Sequence, residues 1–143
     1  MTILHGMRVF ESSAFVALPL AGMQLAQMGA EVIRFDNLGG GLDHLRRPLA
    51  PNGESLFWHG LNKGKKSFAV NLKTEKGREL VTDLITSDGD DAGLFITNLR
   101  VAGWTDYESL KRKRADLIMV TLKGDRHGGP EVDYTVNPSL GIP

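Results

Sequence analysis

Leu61-Asn62-Lys63-Gly64-Lys65-Lys66-Ser67-Phe68-Ala69-Val70-Asn71-Leu72-Lys73-Thr74-Glu75-Lys76-Gly77 decides the fold of this chain. A cationic turn interrupted by Gly64 feeds a short alternating strand over residues 67–72. Thr74 is a suitable N-cap for the helix that follows over 74–86, where Leu80, Val81, Leu84 and Ile85 form one apolar stripe. Lys73 stands where strand gives way to helix. Five of the seventeen basic residues fall in this window. A cationic turn and a helix start suit an anionic, phosphate-bearing ligand. A solvated loop with solubilising lysines has the same pattern, and the window alone leaves both readings open.

The handover from strand to helix recurs on either side. Upstream, residues 7–11 read as a strand. A helix over 14–29 has Pro19 near its start and Gly29 as its stop, and its apolar residues run almost all the way round, which predicts burial on several sides. Glu31-Val32-Ile33-Arg34-Phe35-Asp36 is a second strand. Residues 37–55, rich in Gly, Pro and polar groups, read as a long irregular connection of the functional or covering kind. Downstream, 87–91 is a turn and 94–97 a strand. Thr105-Asp106-Tyr107-Glu108 has capping-box spacing, and Lys111-Arg112-Lys113-Arg114 complement the last turn of the helix it opens. Residues 117–122 form a final apolar strand. Alternating elements with apolar strands predict an α/β domain, a mainly parallel sheet with helices on both faces.

Composition narrows the function. The 143 residues, 41% hydrophobic, suffice for one domain with a core. Seventeen basic residues balance seventeen acidic ones, which argues against a nucleic-acid partner. The chain has no cysteine, so disulfides, thiolate metal sites and a Cys nucleophile are excluded. No apolar run reaches the ~18 residues of a membrane span. No signal-like N-terminus is evident, so no membrane association and a cytoplasmic location are expected.

In open α/β sheets ligands bind beyond the carboxyl ends of the strands. The segments there carry neither Gly-x-Gly-x-x-Gly nor Gly-x-x-x-x-Gly-Lys-Ser/Thr, which disfavours a dinucleotide site and an NTPase. Gly39-Gly40-Gly41 suits close backbone approach to a ligand and a tight loop equally. His5, His44, His59 and His127 lack metal-ligand spacing, and no metal site is expected. Ser12-Ser13 has no His–acid pair nearby. Glu11, Asp36, Asp43 and Asp133 read as caps, turns or solvated side chains before catalytic ones. Trp58 is read as a half-buried loop aromatic, with a purine platform as the alternative.

Several segments, in order, resemble the class III CoA-transferases. Leu4-His5-Gly6-Met7-Arg8-Val9 is similar to that family's opening strand. Leu25-Ala26-Gln27-Met28-Gly29-Ala30-Glu31-Val32-Ile33-Arg34 resembles its Leu-Gly-Ala-Asp-Val-Ile-Lys stretch. Asn62-Lys63-Gly64-Lys65-Lys66-Ser67 and Leu72-Lys73-Thr74-Glu75-Lys76-Gly77 resemble its Asn-Arg-Gly-Lys-Arg-Ser and Leu-Lys-Thr-Pro-Glu-Gly blocks, and Ile96-Thr97-Asn98 its Val-Glu-Asn. Gly39-Gly40-Gly41-Leu42-Asp43, Leu56-Phe57-Trp58, the segment 92–98 and the segment 131–138 resemble the branch that moves CoA between the two carboxyls of one dicarboxylate.

The resemblance implies a Rossmann-like fold, here the N-terminal part of the family's large domain, and an interlaced homodimer. It implies CoA as part of an acyl-CoA substrate with no permanently bound cofactor. An Asp attacks the thioester to give a mixed anhydride, and the freed thiolate re-forms a thioester. That Asp is expected beyond the segment matching 137–143, so no residue of this chain is assigned as catalytic, and the chain alone is expected to be inactive or to act as a CoA-binding or subunit-interaction module. The implied CoA contacts are Val16 and Ala17 after the first strand, Val70, Asn71, Leu72 and Lys73 after the third, and Asn98, Leu99 and Arg100 after the fourth. Lys73 is the expected phosphate contact, with Lys63, Lys65 and Lys66 supplying a field. Two departures are Asn37, where the family often has a basic residue, and Gly103-Trp104-Thr105, which shortens the loop that carries a family Arg.

Overall fold

A computed structural model describes residues 2–99, 103–125, 127, 129 and 131–142. Five parallel strands, β1 (Arg8–Ser12), β2 (Glu31–Asp36), β3 (Lys66–Ala69), β4 (Leu94–Thr97) and β5 (Ile118–Thr121), form one sheet in the order β3-β2-β1-β4-β5. In register, Phe10 stands beside Ile33 and Phe95, Ile33 beside Lys66, and Phe95 beside Met119. The helices are α1 (Ala17–Gln27), α2 (Leu56–Leu61), α3 (Glu75–Ile85), α4 (Tyr107–Lys113) and α5 (Asp133–Ser139). The α/β architecture anticipated from the alternation is the one observed.

Successive strand residues point to opposite faces, and each face has its own cover. On one, Phe10, Phe35 and Phe95 pack with Val81 and Ile85 of α3 and Leu110 of α4. On the other, Val9, Val32 and Ile96 meet Leu18 and the half-buried Leu25 and Ala26 of α1.

Several boundaries and exposures differ from the sequence reading. Helix α1 is shorter than residues 14–29 and buries only Leu18, Pro19 and Gly22, while Leu20 and Ala21 face outward. Its apolar composition therefore does not mean burial on several sides, because the sheet covers one face only. The chain leaves α1 through Gly29 at φ 104°, the stop expected of a glycine there. Strand β3 ends at Ala69: Val70 N–H makes the last bond to β2, at the Asp36 carbonyl, and the chain then turns, Leu72 N–H closing onto the Val70 carbonyl and Thr74 N–H onto that of Asn71.

Thr74 caps α3 as anticipated, its Oγ1 accepting from Gly77 N–H at 3.1 Å. Leu80 is exposed, which narrows that helix's buried stripe to Val81 and Ile85 with Leu84 half-buried. The cap of α4 is Asp106 rather than Thr105: its carboxylate accepts from Ser109 N–H at 2.9 Å. The basic run in the last turn of α4 is absorbed locally, Lys113 by Asp83 and Arg112 by Ser109, with Arg114 just beyond the helix on Asp116. Helices α2 and α5 were not anticipated. Ser55 Oγ caps α2 by accepting from Trp58 N–H at 3.0 Å, within what reads from composition as loop.

Candidate functional site

The strand order reverses between β1 and β4: the chain runs outward from β1 through β2 and β3, then returns to the other side of β1. That is the switch point where an open sheet leaves a crevice beyond its carboxyl edge. Here the turn after β1 is pinned to β4. Asn98 Oδ1 accepts from Ala14 N–H, and Asn98 Nδ2 donates to the Ala14 carbonyl, both at 2.8 Å. One side-chain amide thus satisfies both polar groups of one residue's backbone. Leu99 N–H donates to Thr97 Oγ1 at 3.1 Å. Phe15, at φ 66°, donates its N–H to Asp43 Oδ2 at 3.0 Å. Val16 and Ala17 then open α1, both exposed, and no side chain caps the helix start.

A second group forms where β3 ends. Asn71 folds the turn by accepting from Lys73 N–H on Oδ1 (3.1 Å) and from Thr74 on its carbonyl. Val70 is buried and Leu72 is half-buried against the α3 face. Lys73 is exposed, and among the described residues its ammonium has no partner. The structure therefore places Val16, Ala17, Asn98 and Leu99 together at the switch point, and Val70, Asn71, Leu72 and Lys73 together along the same edge. Arg100 lies outside the described residues.

The cationic turn is corrected. Lys65 is not a free cation: its side chain is 1% exposed, and Nζ donates to Glu11 Oε1 (2.7 Å), the Pro19 carbonyl (2.8 Å) and Asn62 Oδ1 (2.9 Å). Lys66 pairs with Glu31 at the start of β2, on the side where strands enter the sheet. Neither can supply a field for a ligand at the carboxyl edge. Burial of Lys65 follows from its partners, since a buried ammonium is tolerated only when paired.

Those partners form a buried ionic cluster beneath residues 37–62. Arg34 Nε and Nη2 grip Asp36 at 2.8 and 3.2 Å, Nη2 also reaches Asp43 at 2.9 Å, and Nη1 donates to Asn62 Oδ1 at 3.0 Å. Ser13 is fully buried, its Oγ donating to Glu11 Oε1 at 2.5 Å, which keeps it from any substrate, while among the described residues Glu11 Oε2 is buried without a partner. Burial pushes the Glu11 carboxyl up, against the lowering effect of Lys65 and Ser13. Burial likewise pushes Lys65 down, against Glu11. Burial disfavours the Arg34 guanidinium too, but Asp36 and Asp43 outweigh it and the net shift is upward.

Glu11, Asp36 and Asp43 are thus neither caps nor solvated. The sequence did contain a signal. Glu11 follows Val9 by two, and Arg34 and Asp36 follow Val32 by two and four, so these charges occupy the inward face of central strands.

Nearby features take packing roles. A Cβ on Gly41 would overlap Asp36 and crowd Arg34, so that glycine serves close approach of the loop to the cluster. Trp58, on α2, lies under the Arg34 guanidinium (5.5 Å) and meets His44 and His59 edge-on, which occupies it against use as a purine platform. Arg46 lies over the rings of Phe15 (5.4 Å) and Phe57 (4.5 Å). Among the described residues no group of His and acidic side chains could hold a metal ion, and no helix is long and apolar enough to cross a membrane.

Comparison with known proteins fits this geometry. The model of CoA-transferase family III matches residues 4–138. The 2-methylfumaryl-CoA isomerase of Chloroflexus aurantiacus is 63% identical over 99% of this chain and 35% of its own length. Succinate–glutarate CoA-transferase of Agrobacterium fabrum is 36% identical over 92% of this chain and 34% of its own. A CAIB/BAIF family protein from Brucella suis superposes with a TM-score of 0.85 at 31% identity, covering 99% of this chain and 40% of that one. The chain spans about a third of the length of the curated relatives it matches. With its parallel sheet, its open switch point and a family match along nearly its whole length, the chain belongs to CoA-transferase family III.

Proposed function

We propose that these residues form the CoA-binding part of an enzyme that transfers CoA between carboxylates, moving it between the C1 and C4 carboxyls of 2-methylfumaryl-CoA (mesaconyl-CoA). The observation that carries this reading is the 63% identity to 2-methylfumaryl-CoA isomerase along 99% of the chain, against 36% to succinate–glutarate CoA-transferase. An Asp carboxylate attacks the thioester carbonyl, the C–S bond breaks and CoA leaves as its thiolate. The thiolate attacks the Asp acyl carbon of the resulting anhydride, whose C–O bond breaks and releases the free dicarboxylate. Its C4 carboxylate attacks the Asp–CoA thioester and frees the thiolate again. The thiolate then attacks the C4 acyl carbon, breaking the second anhydride and returning the Asp carboxylate. CoA takes part as substrate and not as a resident cofactor.

The carboxylates at hand do not suit the nucleophilic role. Asp36 and Asp43 are buried on Arg34, and Glu11 on Lys65. From the family resemblance, the attacking Asp is assigned to the part of the relatives' length that this chain does not span. The chain's own part is to bind: Lys73 and the uncapped start of α1 meet phosphate charge, and Asn98 fixes the turn between them and β4.

A second reading, a CoA-binding or subunit-interaction module without catalysis, is favoured by one observation. Ile118, Val120 and Leu122 make an exposed apolar row along the edge strand β5. An interlaced homodimer in the cytoplasm would cover such a row.

Calorimetric titration with CoA tests the binding role: Lys73→Ala is expected to weaken affinity roughly tenfold, the loss of one charge-assisted contact. Incubation with 2-methylfumaryl-CoA, followed by separation of the C1 and C4 isomers, should show no conversion by these residues alone. Conversion would overturn the placement of the nucleophile, and absence of CoA binding would overturn the site.

A further inference from the structure

We propose that Asp43 is a positioning residue for the CoA site, tying the buried Arg34 cluster to the turn that presents Val16 and Ala17. The inference rests on the CoA reading of that turn. Asp43 is 1% exposed and divides its carboxylate between two tasks: Oδ1 accepts from Arg34 Nη2 at 2.9 Å, and Oδ2 accepts from Phe15 N–H at 3.0 Å. Both partners are needed to satisfy it.

Phe15 is the reason the second bond matters. Its φ of 66° lies in the left-handed region, which bulky L residues avoid unless the surroundings over-determine it. Two clamps do so. Asn98 holds Ala14 from the β4 side, and Asp43 holds Phe15 from the covering loop. The same loop reaches Phe15 a second time: Arg46 N–H closes a turn onto the Asp43 carbonyl at 3.1 Å, and its guanidinium lies 5.4 Å from the Phe15 ring centre. The residue after Phe15 is Val16, at the N-cap position of α1.

A buried ion pair is a weak source of stability, and an apolar core would fold as well. What Arg34–Asp43 adds is a fixed carboxylate oxygen at one backbone N–H on the ligand edge. Asp36 supplies the internal comparison. It pairs with the same guanidinium at 2.8 Å, but its side chain holds no backbone of the β1–α1 turn.

The experiment titrates CoA calorimetrically into the protein, Asp43→Asn and Asp36→Asn, alongside thermal denaturation. Both variants take one carboxylate charge from Arg34, so both should lower the melting midpoint. Asp43→Asn is expected to weaken CoA binding about tenfold or more, because one amide oxygen cannot serve both partners, while Asp36→Asn stays within about twofold. Equal losses in the two variants, or unchanged affinity in Asp43→Asn, would overturn the proposal. If the unsubstituted protein binds no CoA, the underlying reading falls and this inference with it.

Amide exchange of the unsubstituted protein gives a test that needs no variant to fold. The Phe15 N–H should exchange as slowly as the core amides of β1 although the Phe15 side chain is exposed. Rapid exchange there would overturn the clamp.

Discussion

The two faces of the sheet are built from the same strands and hold together by different physics. Phe10 and Glu11 are neighbours in β1, as are Arg34 and Phe35 in β2. Toward α3 and α4 the strands present Phe10, Phe35 and Phe95, packed with Val81, Ile85 and Leu110. Toward α1 they start apolar, with Val9 and Val32, and become ionic near the carboxyl edge with Glu11, Arg34 and Asp36. The first face is fixed by volume. The second is fixed by charge balance, and there the balance is uneven: among the described residues Glu11, Asp36 and Asp43 face only Arg34 and Lys65. Ions appear where the covering layer is residues 37–62, an irregular stretch that ends in α2, with the candidate CoA contacts just beyond. The apolar face supplies adhesion, and the ionic face supplies positions.

The largest effects should come from breaking each face in its own way. Phe35→Ala removes a ring with centroids 5.9 Å from Phe68 and 6.1 Å from Phe95, at a cost of about 3–5 kcal/mol through lost packing and a cavity. Arg34→Met strands two buried carboxylates and should cost a similar ~3–5 kcal/mol. The responses to repair should differ. Adding Asp36→Asn and Asp43→Asn to Arg34→Met removes the stranded charges and is expected to return a good part of the loss in urea denaturation. The same two changes should not improve Phe35→Ala. A triple variant no more stable than Arg34→Met would show that the cluster is held by shape and not by charge.

A smaller effect probes how closely α1 approaches the ionic face. A Cβ on Gly22 would overlap Glu11 Oε2 and crowd the Lys65 stem. Neither group can retreat, since both are buried and bonded to each other. Gly22→Ala is therefore expected to cost about 1–3 kcal/mol by overpacking, despite alanine's better helix propensity. Gly60→Ala on α2 meets nothing within 4 Å and serves as the contrast, with an expected gain of about 0.4–1 kcal/mol. Melting midpoints decide it: equal responses at the two glycines would mean that α1 does not press on the cluster.

The same contrast explains what could be read from the residues. The Phe10–Phe35–Phe95 face and the capped helix α3 follow from local signals, apolar alternation and a Thr74 cap, because each is set by its own segment. The ionic face is set by residues far apart in the chain. Glu11 and Lys65 lie 54 positions apart, and a lysine in a glycine turn carries no local mark of being buried. The same holds for α1, whose apolar sides look alike until the sheet chooses one, and for α2, a six-residue helix recognisable only once Ser55 is seen to cap it. The switch point was legible as an edge, but the pins on Ala14 and Phe15 come from Asn98 and Asp43, at separations of 84 and 28 residues.

The smallest expected effect is a slope, and it asks which group absorbs the uneven charge. Glu11 is pushed above its ordinary 4.5 by burial, against Lys65 and Ser13. Between 4.5 and that raised value the folded state therefore holds a proton that the unfolded state has released. This stabilising contribution is complete below 4.5 and is lost as pH rises through the folded-state value. Glu31 runs the other way. Lys66 and then Arg8 hold it below 4.5, so its contribution is present above 4.5 and is lost as pH falls through the lowered value. The raw stability curve mixes the two, and subtracting that of Glu11→Gln isolates the first. The native-minus-variant difference should fall as pH rises from below 4.5. Lys65, lowered by burial against Glu11, should add a separate rise in stability as pH approaches 10.5 from below. A flat difference would mean that Glu11 titrates alike in the folded and unfolded states, and one that rises with pH up to 4.5 would mean that Glu11 stays ionised in the fold. The extra negative charge would then have to be met by Arg34 and Lys65 together, and the two halves of the cluster would act as one unit.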